Sequence, residues 1–216
     1  MLPALLILLC WVIGSIPFSY LIARRAKKID IREVGSGNVG ATNVLRYAGK
    51  GAGAAALILD GLKGWGSVTL ARVIIDSSVW PLPADGTSVL TAPSFWIGLA
   101  AFAAVVGHMF PPWLSFKGGK GVATGAGAYL GIDPIALGLS LVTFLAAVAL
   151  TRFVAVGSLV AAVAFPIFLR FVSGGTFWEI IFSVGIALLV VLRHRTNIAR
   201  IAAGNEKKFP FDKEDS

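Results

Sequence analysis

The segment FKGGKGVATGAG at residues 116–127 decides how the rest of the chain is arranged. Gly118, Gly119 and Gly121 surround Lys120 just before a short apolar run, Val122–Ile132. Glycines allow positive φ and leave backbone N–H groups uncovered. The run predicts a helix whose first turn adds unpaired N–H groups and the positive end of the helix dipole. With the charge of Lys120, these features suit a phosphate or another anion. The spacing is not that of a nucleotide P-loop, which ends in Gly-Lys-Ser/Thr. A loop that merely lets two helices pack closely would use the same glycines, and this segment alone leaves both readings open.

The surroundings are those of a membrane. Hydrophobic residues make up 56% of 216 and charged residues only 14%, so a soluble globular class is excluded. The net charge of +8 gathers between apolar runs, where it reports orientation and contact with anionic lipid headgroups, not nucleic acid. Cys10 is the single cysteine, which excludes an internal disulfide and a cysteine metal site. The apolar N-terminus lacks a basic start and a cleavage site, so it reads as a first span, Leu2–Ala23, tolerant of Gly14 and Pro17.

A basic loop follows, from Arg24 through Arg32 to Arg46 and Lys50, and the positive-inside rule places it in the cytoplasm and the N-terminus outside. Ala52–Ile75 then crosses outward, Asp76–Ser94 forms an outer loop, and Phe95–Phe110 returns. Three long runs remain: Pro134–Leu150, Phe153–Phe171 and Thr176–Leu192. If only these crossed, the basic tail starting at Arg193 would lie outside. Counting Gly121–Ile132 as a crossing brings it back in. That run is roughly 18 Å long at 1.5 Å per residue, too short for about 30 Å of hydrocarbon unless protein encloses it beside a wet recess. The expected fold is therefore an all-α polytopic membrane protein. Seven transmembrane helices surround a short central fourth helix, with the N-terminus outside and the C-terminus cytoplasmic. Residues 1–216 read as one integral-membrane catalytic domain, with 207–216 a loose polar tail.

Polar residues collect on the expected cytoplasmic side. After the first span, Gly35, Gly37 and Gly40 expose backbone donors, while Ser36, Asn38, Thr42 and Asn43 add neutral ones. Arg46 can grip a phosphate bidentately, and it shares a face with Asn43 if a helix begins near Gly40. A compact turn capping that helix would look the same. The central stretch adds His108, Lys117 and Thr124; a histidine at a helix C-terminus also suits the dipole there. Beyond the last span, His194 and Asn197 stand three apart, with Arg200 and Glu206 following. A basic segment on anionic lipid accounts for the arginines but does not need His and Asn. Inside the second span, Asp60 and Lys63 are one turn apart: either a mutually offsetting pair, or a sign of a wet recess in which Lys63 reaches an anion. No Ser-His-Asp set and no metal-ligand spacing is present.

Three of these stretches resemble signature motifs: GSGNVGATNVLR at 35–46, GHMFPPWLSFKGGKGVATGAG at 107–127, and RHRTNIARIAAGNEKK at 193–208. In order and spacing the chain is similar, over essentially its whole length, to the bacterial acyl-phosphate:glycerol-3-phosphate acyltransferases. The resemblance implies transfer of a fatty acyl group from acyl phosphate to the 1-hydroxyl of sn-glycerol 3-phosphate at the cytoplasmic face of the bacterial inner membrane. It implies no cofactor and no metal; the partners are the two substrates and membrane lipids, and no nucleic acid. Two phosphates need two anion pockets. Lys120, Thr124 and the Gly118–Gly121 backbone are expected to hold the acyl phosphate, and Ser36, Asn43, Arg46, His194 and Asn197 the glycerol 3-phosphate, with Lys63, Lys117 and Arg200 as further cations. The proton acceptor is His108, His194 or a substrate phosphate oxygen. A membrane carrier for a phosphorylated metabolite is the rival reading, since broken short helices also bind anions in transporters.

Overall fold

The computed structural model describes residues 1–83 and 87–209. Part of the expected outer loop (84–86) and most of the expected tail (210–216) lie outside the described residues. What is described is helical. The elements are α1 (Leu2–Ser15), α2 (Phe18–Lys27), α3 (Ala41–Ala48), α4 (Lys50–Ile75), α5 (Pro93–Met109), α6 (Val122–Ile132), α7 (Pro134–Thr151), α8 (Val154–Phe171), α9 (Phe177–Arg193) and α10 (Arg195–Ala202). Among the described residues, four stretches are long and apolar enough to cross a membrane, and a fifth if α9 and α10, bent by 51°, count as one. Helix α4 has 26 residues, ample length, but Asp60, Lys63 and Arg72 lower its apolar character.

The first span is broken rather than merely bent. Pro17 lacks an N–H and crowds the preceding turn, so α1 ends at Ser15 and α2 starts at Phe18, running on through Lys27. Lys28 closes α2 in the left-handed region.

Helix α6 matches the expected range and is enclosed, as its length requires. It lies along α4 and also meets α5, α7, α8 and α9. Small residues bring the α4 and α6 backbones together: a Cβ on Gly127 would stand 1.8 Å from the Gly61 carbonyl oxygen, and one on Gly64 2.0 Å from that of Thr124. At the far end Arg72 of α4 donates to the carbonyls of Gly131 and Ile132, 3.1 and 3.2 Å away. Those are the acceptors that a helix stopping inside the bundle leaves unpaired. Asp133 then caps α7 through the Ala136 N–H at 2.6 Å. Tyr129 stacks on Phe165 of α8, ring centroids 3.5 Å apart, and donates its hydroxyl to the Ser183 carbonyl of α9.

The main apolar core joins α1, α4, α5, α6, α7, α8 and α9, and a smaller cluster around Ala23, Ile31 and Val44 seats α2 and α3. The start of the tail is tied down rather than loose: the Phe209 N–H donates to the Arg152 carbonyl at 2.7 Å, and Arg152 Nε donates back at 3.0 Å.

Candidate active site

The first wall of the site is the loop before α3. A helix does begin after Gly40, and it puts Asn43 and Arg46 on the same cavity wall. Asn43 is only 4% exposed, and its amide donates to the carbonyls of Ile31 and Val34, both at 3.1 Å. Its Oδ1 accepts from the Ser36 N–H at 3.4 Å. Asn43 therefore shapes the loop, and its donors are engaged within the protein. Gly35 must be glycine, with φ +59 and an added Cβ 2.2 Å from the Tyr47 ring.

The second wall is the turn into α6. The N–H groups of Gly118 and Gly119 donate to the carbonyls of Met109 and His108. Their own carbonyls accept from Arg193, at 2.7 and 3.1 Å. This corrects the expectation that the amides at 118 and 119 cradle a phosphate: they fasten the turn to α5. Gly121, at φ +78, starts α6, and it lines the cavity with Val122, Ala123 and Lys120. The anion-directed features are thus the α6 N-terminus and the lysine. Burial, foremost, holds the Lys120 ammonium below its ordinary value, at about 8; Glu206 opposes this, and Arg200, Arg193 and Arg46 add to it.

The third wall is the bend between α9 and α10. Lys120 donates to Asn197 Oδ1, Asn197 Nδ2 donates to Glu206 at 2.6 Å, and Arg200 Nε pairs with the other Glu206 oxygen at 2.6 Å. His194 stands at the bend, 2% exposed, with Nδ1 2.8 Å from the Val190 carbonyl. A carbonyl can only accept, so Nδ1 carries the proton and Nε2 keeps its lone pair in the neutral ring.

All three walls enclose one cavity of about 460 Å³. Ser36, Asn38, Thr42, Asn43, Arg46, Asp60, His108, Lys120, Gly121, His194, Asn197, Arg200 and Glu206 line it. Gly37, Lys117 and Gly118 instead line an adjoining recess, which shares Ser36, Asn38, Lys120 and Arg200 with the cavity. Gly119, Thr124 and Lys63 lie behind the wall. Lys63 does not reach for an anion: its ammonium pairs with Asp60 at 2.8 Å and donates to the Ile16 carbonyl, at the break between α1 and α2, at 2.8 Å.

A family profile described as glycerol-3-phosphate acyltransferase matches residues 4–204. A glycerol-3-phosphate acyltransferase of Desulforamulus reducens is 40% identical over 204 residues, 94% of each chain. One from Mesorhizobium japonicum is 42% identical over 198 residues, covering 92% of this chain and 91% of its own. The chain belongs to the glycerol-3-phosphate acyltransferase family.

Crystal structures of PlsY (YgiH), an integral membrane glycerol 3-phosphate acyltransferase, superpose on it with TM-scores of 0.84 for the glycerol 3-phosphate form and 0.82 for the lysophosphatidic acid form. Both are 34% identical and cover 97% of this chain and 96% of theirs. As an acyltransferase of this family, the protein is a membrane enzyme of lipid biosynthesis. The candidate site includes side chains to which the motifs assign no part. Arg193 lies within a quoted motif, but nothing in spacing says that it clamps the turn at 118–119. Leu57, Phe144, Val154 and Ala155 form the apolar side of the cavity. They come from ordinary apolar runs of α4, α7 and α8, where sequence carries no sign of a site.

Proposed function

We propose that this acyltransferase moves a fatty acyl group from acyl phosphate to the 1-hydroxyl of sn-glycerol 3-phosphate, giving lysophosphatidate and inorganic phosphate. The observation that carries the proposal is the closure of three sequence-distant polar segments around one cavity with a cationic side and an apolar side. The apolar side, formed by Leu57, Phe144, Val154 and Ala155, suits an acyl chain. Lys120 and the α6 N-terminus face the departing phosphate, and Ser36, Arg46 and Arg200 face glycerol 3-phosphate. His194 and Asn197 place its hydroxyl. The attacking oxygen forms the ester as the acyl–phosphate bond breaks; the electron pair leaves with the phosphate, and the hydroxyl proton passes to His194 Nε2 or to a phosphate oxygen. An acyl phosphate is a mixed anhydride with a good leaving group, so orientation and charge neutralisation supply most of what catalysis needs.

The proposed setting is the bacterial inner membrane, crossed seven times with α6 as the short fourth crossing. The N-terminus is outside and the cavity opens to the cytoplasm. All 216 residues then form one catalytic domain. Purified protein given glycerol 3-phosphate and palmitoyl phosphate should release lysophosphatidate and phosphate in equal amounts, with no product from palmitoyl-CoA. Product from the thioester alone would overturn the donor assignment. Glycerol 3-phosphate flux into vesicles with no ester formed would favour the carrier instead.

A further inference from the structure

The proposed chemistry leaves a knot of buried polar side chains unused. Asp60 (1% exposed), Lys63, His108 (7%), Thr124 (0%) and Ser19 come from α2, α4, α5 and α6 and meet at the inner wall of the cavity, which Asp60 and His108 also line. Ser19 donates its hydroxyl to Asp60 Oδ2 at 2.6 Å, and Lys63 pairs with Asp60 Oδ1. The same Oδ1 stands 3.6 Å from His108 Nδ1, which is 3.1 Å from Thr124 Oγ1. The other side of the ring is covered too. A Cβ on Gly119 would lie 2.1 Å from His108 Nε2, and one on Gly118 would lie 2.1 Å from the His108 carbonyl oxygen. The Gly118–Gly119 turn therefore rests on His108 by backbone and by ring, beside its bond to the Met109 carbonyl and the clamp of Arg193. Lys120 is the next residue.

We infer that His108 is a positioning residue: Thr124 holds the imidazole by a hydrogen bond beside Asp60, and the imidazole sets the turn that delivers Lys120 to the cavity. With both ring nitrogens covered, His108 is not the group that takes the substrate proton. The inference rests on the proposed reaction only in that Lys120 meets a substrate phosphate.

The test reads the alkaline limb that Lys120 imposes on kcat/KM for glycerol 3-phosphate. The titratable and charged groups facing Lys120 are Arg46 of α3, Arg193 of α9, His194 at the bend, Arg200 of α10 and Glu206 beyond it. None of them is altered in the variants. His108→Ala should lower kcat/KM by about 10- to 100-fold, the scale of a misplaced catalytic group. It should also move the limb to higher pH as the turn opens and Lys120 regains water. His108→Gln, whose amide reaches the Nε2 position beside Gly119, should restore most of the rate and return the limb. A purely structural defect would reduce the active fraction and leave the limb in place, and that result would overturn the inference. Loss of an acidic limb in His108→Ala would also overturn it, since the imidazole itself would then be the base. If His108→Ala does not fold, Thr124→Val removes the hydroxyl at nearly constant shape and should shift the limb the same way; an unmoved limb again refutes the idea. A wild type that forms no ester ends the proposed reaction instead, and the limb is then read from equilibrium binding of glycerol 3-phosphate.

Discussion

Lys120 combines two opposed requirements, a charge for a phosphate and a place removed from water. Desolvation brings it to about 8, so its ammonium is complete below that pH and is lost as pH rises through it. A phosphate bound by the charged form favours protonation, so affinity should decline above about pH 8 in the wild type. Lys120→Arg keeps a cation at every accessible pH and should lose this decline while turning over more slowly. Lys120→Ala should reduce turnover by about 100-fold or more, the scale of a lost transition-state donor. Rates measured across pH for the three proteins check both expectations, and a wild-type decline that persists unchanged in Lys120→Arg would assign it to another group. At this scale the sequence was informative about residue type and less so about direction. It indicated that Asp60 and Lys63 would be paired or wetted. Only the fold shows that Lys63 also donates to the Ile16 carbonyl, at the break between α1 and α2.

Among the elements, α6 carries the most consequence. A helix of 11 residues cannot satisfy both of its ends in hydrocarbon, and here each end has an answer: the cavity at its start, and Arg72 at its finish. Its lateral position is set by backbone contact with α4. Gly64 and Gly66 lie two apart on α4 but differ completely in surroundings. A Cβ at 64 meets the Thr124 carbonyl oxygen at 2.0 Å, whereas one at 66 meets nothing within 4 Å. Gly64→Ala should therefore push α6 away, lowering the thermal unfolding midpoint in detergent and the rate together. Gly66→Ala should leave both at or above wild type, because alanine is the better helix former. Equal effects of the two substitutions would show that close packing at 64 is unimportant. The boundaries of α6, α7, α8 and α9 were legible because apolar runs and their Pro or polar ends mark them. The break at Pro17 was not, since proline kinks some membrane helices and severs others, and the outcome depends on which neighbours take up the freed backbone groups, as Lys63 does at the Ile16 carbonyl.

For the molecule as a whole, the motifs at 35–46, 107–127 and 193–208 could be read as convergent because all three follow the same side of their spans. The apolar half of the cavity could not, because Phe144 and Val154 differ in no visible way from their lipid-facing neighbours. The proposed topology makes a simple demand. Cys10 is fully buried, so cysteines introduced at the exposed positions Ser88 and Lys208 report alone. An impermeant thiol reagent should label Ser88→Cys in intact cells and Lys208→Cys only after permeabilisation; labelling of both from the same side would break the arrangement. The central claim is that separate segments grip one phosphorylated substrate, and a structure determined with glycerol 3-phosphate bound tests it most directly. The account predicts the phosphate inside the cavity, with oxygens within about 3 Å of donors on Ser36 or Arg46 and the free hydroxyl turned toward His194 and Asn197. Density for the ligand at the outer ends of the helices, or against only one of the three walls, would contradict it.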